Sequence, residues 1–385
     1  MSEIKVNSIK GVAASTAAIT VNNTDGTCTA NITSLNGGQF SNRNIIINGA
    51  AQVNQRGNLT GQTSSVYFVD RFRVAMGSVG TWSLSQSTDT PDGFGSSMKL
   101  DCTTAKSSLD ASSYMMIQQK IEGQNLQAFA KGTSAAKQFA VSFYIKSNVS
   151  GIYTVEIQDN DNNRIASKTF TVSDANWNRY SLIFPADTTG AFDNDNDQSM
   201  DIKIWFAGGT TYSSGTLNTS SWATKSNPNR VSSSNVNLAS STSNELYITG
   251  VQLEVGSVVT DFEHRSFGQE LHRCARYYQK QLSGSTKAVA SAFAYNTQYG
   301  NFTPHYPMGA MRTAPSLDQT NGDNYYELNG GLDHGDHLDG AFIIEHGTET
   351  TCNIYFDPDG SLNNGYSFYI KSDNAASYFA YSAEL

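Results

Sequence analysis

The densest group of reactive side chains lies in a short run near the end of the chain. Residues 333–339 read Asp-His-Gly-Asp-His-Leu-Asp, so His334 and His337 stand among three carboxylates. Imidazole nitrogens and carboxylate oxygens are ligands of divalent metals, and the run could hold one. The same composition is typical of an exposed polar loop. We favour the loop and assign no metal ligands.

Aromatic residues supply a second kind of chemistry. Tyr306, Tyr325 and Tyr326 lie near this run in sequence, whereas Trp82 and Trp222 stand in polar surroundings much earlier. An aromatic ring can stack on the CH-rich face of a pyranose, although packing in a core or an interface is the alternative for each of them. The expected glycan-binding residues are therefore Tyr306, Tyr325, Tyr326, His334, His337, Trp82 and Trp222.

Carboxylates are numerous enough to raise the question of catalysis. Aspartates at 159, 161, 193, 195, 197 and 201 could supply the acid pair of a glycosidase, but they lie in Asp-Asn runs typical of turns. No nucleophile elbow, phosphate loop or zinc-protease motif is present, so we predict no catalytic residues. The alternation from Asp193 to Asp197 resembles the start of a calcium loop. Gln198 and Ile204 stand where that loop needs Gly and Glu, so no cofactor is expected and a structural calcium remains open.

Composition limits the class of protein. The 385 residues include 25 Lys+Arg and 34 Asp+Glu, and the formal net charge of −9 argues against nucleic-acid binding. No apolar run predicts a membrane span, and the first residues lack the features of a signal peptide. Aromatic content of 11% with many Ser, Thr and Asn predicts a folded, β-rich protein. Four widely separated cysteines, Cys28, Cys102, Cys274 and Cys352, are expected to be free thiols.

Alternating apolar residues predict strands through most of the chain. Between residues 41 and 265 the clearest examples are 139–145, 153–157 and 246–255, and turns between them favour a sandwich of two antiparallel sheets. Residues 208–243 are predicted to be a surface loop anchored by Trp222.

The two ends of the chain show different patterns. Residues 266–280 have helical spacing, with Phe267, Leu271, Ala275 and Tyr278 on one face. Residues 283–385 return to strands with Asn-Gly and Asp-Gly turns and predict a smaller β domain. Residues 1–40 suggest short strands at 19–21 and 28–32 but cannot bury a core alone, so they either dock on a partner or form a flexible tail.

Two motifs bracket the predicted sandwich. The first reads Asn-Ile-Ile-Ile-Asn-Gly at 44–49, then Asn-Gln-Arg-Gly at 54–57 and Asp-Arg-Phe at 70–72. The second reads Thr-Gly-Val-Gln-Leu-Glu-Val-Gly at 249–256, with Cys-Ala-Arg-Tyr-Tyr at 274–278. Together they resemble the beginning and end of a jelly-roll module found in bacteriophage tail fibre and receptor-binding proteins, with carbohydrate-binding-module-like folds. The resemblance covers about 41–280, and the opening residues also resemble a virion-attachment segment.

The resemblance implies an all-β fold and a domain order. Residues 1–40 would be the virion-attachment segment, 41–265 a large jelly-roll β-sandwich, 266–282 a linking and trimerisation helix, and 283–385 a smaller β-sandwich at the tip. The expected trimer contacts are Phe267, Leu271, Ala275 and Tyr278.

The resemblance also implies a non-enzymatic virion protein. It would be made in the bacterial cytoplasm and assemble as a homotrimeric tail appendage. Its partners would be a tail protein, bound through 1–40, and host surface polysaccharide, with neither nucleic acid nor membrane insertion. The alternatives are a fibre or decoration on the capsid, a polysaccharide depolymerase, and a structural adaptor without a receptor.

Overall fold

The chain folds almost entirely into antiparallel strands. In the computed structural model the described residues are 8–9, 19–22, 24, 28–30, 42–330 and 336–385. The early strands are β1 (Ser8–Ile9), β2 (Ile19–Val21), β3 (Cys28–Ala30), β4 (Leu59–Gln62), β5 (Val66–Tyr67), β6 (Arg73–Gly77), β7 (Thr81–Ser87), β8 (Ser97–Thr104) and β9 (Tyr114–Glu122). Then follow β10 (Phe139–Ser147), β11 (Gly151–Asp159), β12 (Arg164–Val172), β13 (Asn178–Phe184), β14 (Gln198–Gly208), helix α1 (Thr210–Ser213), β15 (Ala223–Thr224), β16 (Glu245–Val255) and helix α2 (Phe267–Ala275). The last strands are β17 (Tyr278–Ser283), β18 (Ala288–Ala294), β19 (Gly300–Phe302), β20 (Ser316–Gln319), β21 (Tyr326–Asn329), β22 (Ile343–Glu345), β23 (Asn353–Phe356), β24 (Ser367–Ser372) and β25 (Tyr378–Ser382).

Two large sheets form the first sandwich. Sheet I has the strand order β13-β10-β16-β8-β7-β4, and sheet II has the order β15-β12-β11-β14-β9-β6-β5. Alternate residues of each strand point between the sheets, as a period of two requires. On β11, Tyr153, Val155 and Ile157 enter the shared core. Cross-strand pairs strengthen it, as where Phe139 stacks on its register partner Phe184 with ring centroids 5.3 Å apart.

Two smaller sheets form the second sandwich. Sheet III has the order β17-β25-β20, and sheet IV has the order β21-β24-β18-β19-β23-β22. Their core is a separate hydrophobic cluster that includes Tyr326, Phe356 and Phe379. The fold class predicted from the sequence, a large jelly-roll β-sandwich and a smaller one joined by a short helix, is therefore confirmed. The domain boundaries remain predictions.

The linking helix is shorter than its periodicity predicts. A capping box between Ser266 and Gln269 starts α2, and the helix ends at Ala275. Tyr278 instead begins β17, where it is paired with Ser382 of β25. The prediction of a helix to residue 280 is wrong because backbone pairing with a strand a hundred residues later takes the last part of the segment. Neither helix in the described part of the chain is long and apolar enough to cross a membrane.

The segment 208–243 covers sheet II rather than extending away from it. It contains α1 and β15, and Trp222 anchors it with its indole N–H donated to the Pro185 carbonyl at 2.9 Å. The predicted anchor is confirmed, since Trp222 is only 8% exposed.

The structure also bears on the predicted N-terminal strands and on the cysteines. The strand predicted at 19–21 is confirmed as β2, and β1, β2 and β3 pair into a three-stranded sheet. Cys102, Cys274 and Cys352 are buried free thiols, as expected. The side chain of Cys28 lies outside the described part.

The two bracketing motifs meet in space. Asn44 donates to the Val251 carbonyl at 3.1 Å and accepts from the Leu253 amide at 3.1 Å. Arg265 donates to the Ile46 carbonyl at 3.0 Å and to Glu270 at 2.8 Å. The motifs are therefore a buried polar joint that holds the first loop against the last strand of the sandwich and against α2.

Candidate functional site

The outer face of sheet IV carries several exposed aromatic side chains. Along β18, Val289, Ala292 and Ala294 are buried, whereas Ser291 and Phe293 point outward. Pairing carries the outward row across the sheet, because Phe293 lies opposite Asn301, Asn301 opposite Tyr355, and Tyr355 opposite Ile343. A row across four adjacent strands spans roughly 14 Å.

Exposed apolar groups concentrate on this face. Nine large apolar side chains are exposed in the described part of the chain, and five of them lie on or beside it. These five are Phe293, Tyr295, Tyr299, Ile343 and Tyr369. Clustered exposure of this kind marks an interaction surface rather than the scattered apolar residues of an ordinary protein surface.

A pocket of about 530 Å³ opens at one end of this face. Its lining residues are Tyr295, Tyr299, Asn301, Glu345, His346, Asn353 and Tyr355. We call this set the tyrosine pocket. Its volume lies in the range of small-molecule sites, and its lining combines aromatic rings with a few polar groups.

The β18–β19 turn positions two of the tyrosines. The Asn296 carboxamide oxygen accepts from the amides of Gln298 at 2.7 Å and Tyr299 at 2.8 Å, which holds the turn. The Tyr295 amide donates to the Tyr299 carbonyl at 2.8 Å, so both side chains stand at the rim. Tyr295 is 65% exposed. The Tyr299 and Tyr355 rings meet edge to face, 6.0 Å apart and 84° between planes.

An unpaired acceptor lies in the tyrosine pocket. The Asn301 side-chain oxygen is buried yet has no hydrogen-bond partner among the described residues. A buried acceptor left unsatisfied costs about 1–3 kcal/mol, so a ligand hydroxyl that donates to it gains that free energy back. Glu345, His346 and Asn353 add further donors and acceptors at the edge. Aromatic faces beside convergent polar groups suit a sugar ring, which has CH faces and hydroxyl edges.

The two tryptophans predicted to bind glycan are core residues. Trp82 has no exposed surface, and its indole N–H donates to the Val79 carbonyl at 2.9 Å. Trp222 packs near Phe139 as the anchor described above. Neither ring can offer a face to a ligand, so the prediction is corrected for both. The residues next to each tryptophan in sequence are polar because they face solvent, whereas the tryptophan itself points into the core. Polar neighbours therefore did not indicate an exposed ring.

Two of the three predicted tyrosines, Tyr306 and Tyr326, are corrected for the same reason. Tyr306 is 4% exposed and donates to the Thr348 carbonyl at 3.0 Å, and Tyr326 is fully buried and donates to the Tyr378 carbonyl at 2.6 Å. Tyr325 is half-buried against the same core, and its role in glycan binding stays a prediction. None of the three lines the tyrosine pocket.

The predicted His337 lies at the β21 edge of sheet IV, where it forms a bridge with Glu327, and it does not line the tyrosine pocket. His334 lies outside the described residues. His337 is half-buried, and its Nε2 lies 3.4 Å from a carboxylate oxygen of Asp373. Glu327 completes a group whose ligand atoms all lie within 4.8 Å, but Lys371 is paired with Glu327 at 2.9 Å. This lysine already neutralises one carboxylate, so we assign no metal there. The calcium left open at Asp193–Asp197 stays a prediction.

The predicted trimer contacts divide between surface and core. Phe267 is 56% exposed and Leu271 is half-buried, so both are available to another chain. Ala275 and Tyr278 are 1% and 2% exposed, and the Tyr278 hydroxyl donates to Asp318 at 3.0 Å. These two are corrected to contacts within the chain, since no surface is left for a partner.

Sequence reasoning missed the tyrosine pocket although a signal was present. The sequence predicts strands over 283–385, and in the structure Phe293 points outward on β18, two residues before the exposed Tyr295. Side chains on a strand point alternately to its two faces. Which face is exposed depends on the sheet that packs against the strand, and the local sequence does not show this.

Comparison with known proteins gives structural similarity without a family. No protein-family model and no curated protein matches the chain. Solved structures with a similar fold include the CBM22-1 xylan-binding domain from Paenibacillus barcinonensis Xyn10C, with 7% identity, a TM-score of 0.28, and coverage of 59% of this chain and 100% of that one. A family 11 carbohydrate-binding module from Clostridium thermocellum, in complex with a mixed-linked tetrasaccharide, shows 13% identity, a TM-score of 0.25, and coverage of 50% and 91%.

A third match is part of a larger protein. The CBM22-1 and GH10 modules of a Clostridium thermocellum endo-1,4-beta-D-xylanase, complexed with xylohexaose, show 10% identity and a TM-score of 0.28, and the match covers 56% of this chain but only 29% of that one. The neighbours are thus carbohydrate-binding modules. Identities and TM-scores this low carry no functional inference.

Proposed function

We propose that this chain is a glycan-recognition protein of a bacteriophage tail fibre, which binds host surface polysaccharide without cleaving it. The observation that carries the proposal is the tyrosine pocket, where the exposed Tyr295 and Tyr299 and the half-buried Tyr355 stand beside the unpaired oxygen of Asn301. The tail-fibre assignment is supported by the bracketing sequence motifs and not by the pocket.

Weak individual contacts suffice for such a protein if copies act together. Stacking of one ring contributes about 0.5–1.5 kcal/mol, so a single pocket binds a sugar weakly. Several pockets in a trimer, and several trimers on one particle, convert weak binding into firm attachment. The exposed Phe267 and half-buried Leu271 on α2 are available for contacts between chains, and residues 1–40 would attach to the tail.

Binding by the full chain tests the pocket directly. We would screen an array of bacterial surface polysaccharides and measure the strongest binder by calorimetry. Tyr355→Ala and Tyr299→Ala should each weaken binding about tenfold, because each removes a stacking face and part of the pocket wall. Tyr366→Ala is the matched control, since this tyrosine is 45% exposed but does not line the pocket. Equal affinity of all three variants and the parent chain would remove the tyrosine pocket from the proposal.

A separate experiment tests the proposal that the protein does not cleave the polysaccharide. Glycoside hydrolysis ordinarily needs two carboxylates, and the tyrosine pocket has Glu345 as its one lining carboxylate. Incubation of the pure protein with the polysaccharide it binds should release no reducing ends. Release of reducing ends would favour the depolymerase instead.

The location of the protein on the particle and its oligomeric state test the proposal that it is a trimeric tail fibre. Antibody against residues 1–40 should label the tail of intact particles, and a head label would support the capsid-side alternative. The molecular mass in solution should be that of a trimer, with Phe267→Ser shifting it toward the monomer.

A further inference from the structure

A second pocket lies on the other sandwich, far along the chain from the tyrosine pocket. The outer face of sheet II carries a row in register, in which Arg73 lies opposite Gln118, Gln118 opposite Lys203, and Lys203 opposite Glu156. The segment 208–243 folds over this row. Together they enclose a pocket of about 340 Å³.

Four cations line this pocket, and we call them the basic cup: Arg73, Lys203, Lys225 and Arg230. The chain as a whole has a net charge of −9, so such a concentration of positive charge is not a property of its general surface. Tyr114 and Tyr212 form an aromatic wall, with ring centroids 5.9 Å apart and an edge-to-face geometry.

Two of the four cations are neutralised within the chain. Lys203 lies 3.2 Å from a carboxylate oxygen of Glu156 and 3.0 Å from one of Asp201, and Arg230 donates twice to Glu156 at 2.9 Å. Glu156 is fully buried. Burial raises its pKa, but Lys203 and Arg230 more than offset this, so its pKa is lowered and it stays ionised.

The other two cations have no partner in the described residues. The side chains of Arg73 and Lys225 make no hydrogen bond or ion pair there, and both are half-buried. Burial lowers the pKa of Lys225, and repulsion from Arg230 and Lys203 lowers it further. The carboxylates of Glu156 and Asp201 therefore neutralise only two of the four cations, and the basic cup keeps a net positive charge next to the pocket.

We propose that the basic cup binds an oxyanion carried on a sugar, the carboxylate of a uronic acid or a phosphate substituent. Arg73 and Lys225 pair with the anion, since charge-assisted hydrogen bonds of this kind are the strong ones. Tyr114 and Tyr212 pack against the sugar ring, and the carboxamide of Gln118 offers hydrogen bonds to its hydroxyls. The proposal does not rest on the tyrosine pocket, because it involves a different sheet and a different ligand chemistry.

Calorimetry on the full chain with three probes tests the basic cup. The probes are a galacturonic acid trimer, the neutral galactose trimer, and inorganic phosphate. We expect the uronate trimer, phosphate or both to bind, and the neutral trimer not to bind. Binding of the uronate trimer would identify the ligand group as a carboxylate, and binding of inorganic phosphate would identify it as a phosphate. Added NaCl should weaken the binding, because part of it is attraction between charges that ions screen.

Variants separate the basic cup from general charge effects. Lys225→Gln and Arg73→Gln should each weaken anion binding about tenfold or more. Lys287→Gln, an exposed lysine outside the basic cup, makes the same charge change and should have no effect. Tyr355→Ala should also leave anion binding intact, so failure of the tyrosine pocket and failure of the basic cup are distinguishable.

Three results would overturn the proposal. One is equal affinity for the neutral and charged trimers, another is unchanged anion affinity in both Lys225→Gln and Arg73→Gln, and the third is no binding of any probe. Circular dichroism of each variant confirms that a lost affinity is not a lost fold.

Discussion

Arg71 and Glu384, 313 residues apart in sequence, form a buried ion pair between the large sandwich and the last residues of the small one. Arg71 is 1% exposed, and its guanidinium lies 3.4 Å from the centre of the Tyr277 ring. Arg56 contacts the same carboxylate at 3.2 Å and lies over Tyr278 at 3.6 Å. Residues of both bracketing motifs thus enclose the Glu384 side chain.

Removing the charge of Glu384 should therefore destabilise the protein. Glu384→Gln leaves Arg71 buried without its counter-ion, and breaking such a pair costs about 3–5 kcal/mol. Urea unfolding measures the change. Glu349→Gln, at an exposed position, makes the same chemical change and should stay within about 0.5 kcal/mol of the parent chain. A similar effect of the two variants would mean that the ion pair does not hold the sandwiches together.

Asp70 should give stability an unusual dependence on pH. Burial raises the pKa of Asp70 to about 6, despite the nearby Arg56 and hydrogen bonds from Gln55. An unfolded Asp titrates near 3.8, so between these values the folded chain keeps a proton that the unfolded chain has lost. This group's contribution to the free energy of unfolding therefore falls as pH rises from about 4 to about 6, by at most about 3 kcal/mol.

Comparing the parent chain with Asp70→Asn across this pH range isolates the effect. The variant cannot ionise at this position, so its stability relative to the parent should rise as pH increases through the window. Asp92→Asn makes the same substitution at an exposed aspartate and is the matched control. A constant offset for Asp70→Asn would show that Asp70 titrates normally.

Two asparagines should respond oppositely to the same substitution. The buried Asn301 side-chain oxygen makes no hydrogen bond, so Asn301→Ala removes an unsatisfied acceptor and should raise the unfolding temperature while it weakens glycan binding. Asn44 is 2% exposed and bonds to Val251, Ile46 and Leu253, so Asn44→Ala should cost about 2–4 kcal/mol by leaving buried partners unsatisfied. Thermal unfolding and calorimetry on both variants check this. A large stability loss in Asn301→Ala would mean that its oxygen serves the fold and not a ligand.

Trp82 should matter for stability and not for binding. Trp82→Ala leaves a cavity in the large core and removes a hydrogen bond to Val79, at a cost of about 3–5 kcal/mol. The half-buried Trp177 is the comparison, and Trp177→Ala should cost less. Glycan affinity, measured on the fraction that remains folded, should equal that of the parent chain in both variants. A specific loss in Trp82→Ala would restore the role first expected for it.

The local pattern of apolar residues was sufficient to predict most strands of the large sandwich. Strands such as β10 and β11 were predictable because the alternation of side chains across a strand depends only on neighbouring residues. The motifs at 44–49 and 249–256 indicated the extent of the module. Their physical role, a buried polar joint between chain segments some 200 residues apart, appears only when the segments are in contact.

The choice between surface and core needed the tertiary structure. Tyr326 and Tyr355 both stand on short strands of sheet IV, yet the first is fully buried and the second lines the tyrosine pocket. On the predicted helical face, Phe267 is exposed while Tyr278 is withdrawn into β17. Side-chain alternation and helical spacing predicted the β fold, the two sandwiches and the start of the linking helix, because strand and helix periods are local. Only the packing of sheet on sheet decided which tyrosines and which cations face a cavity, because burial depends on distant segments.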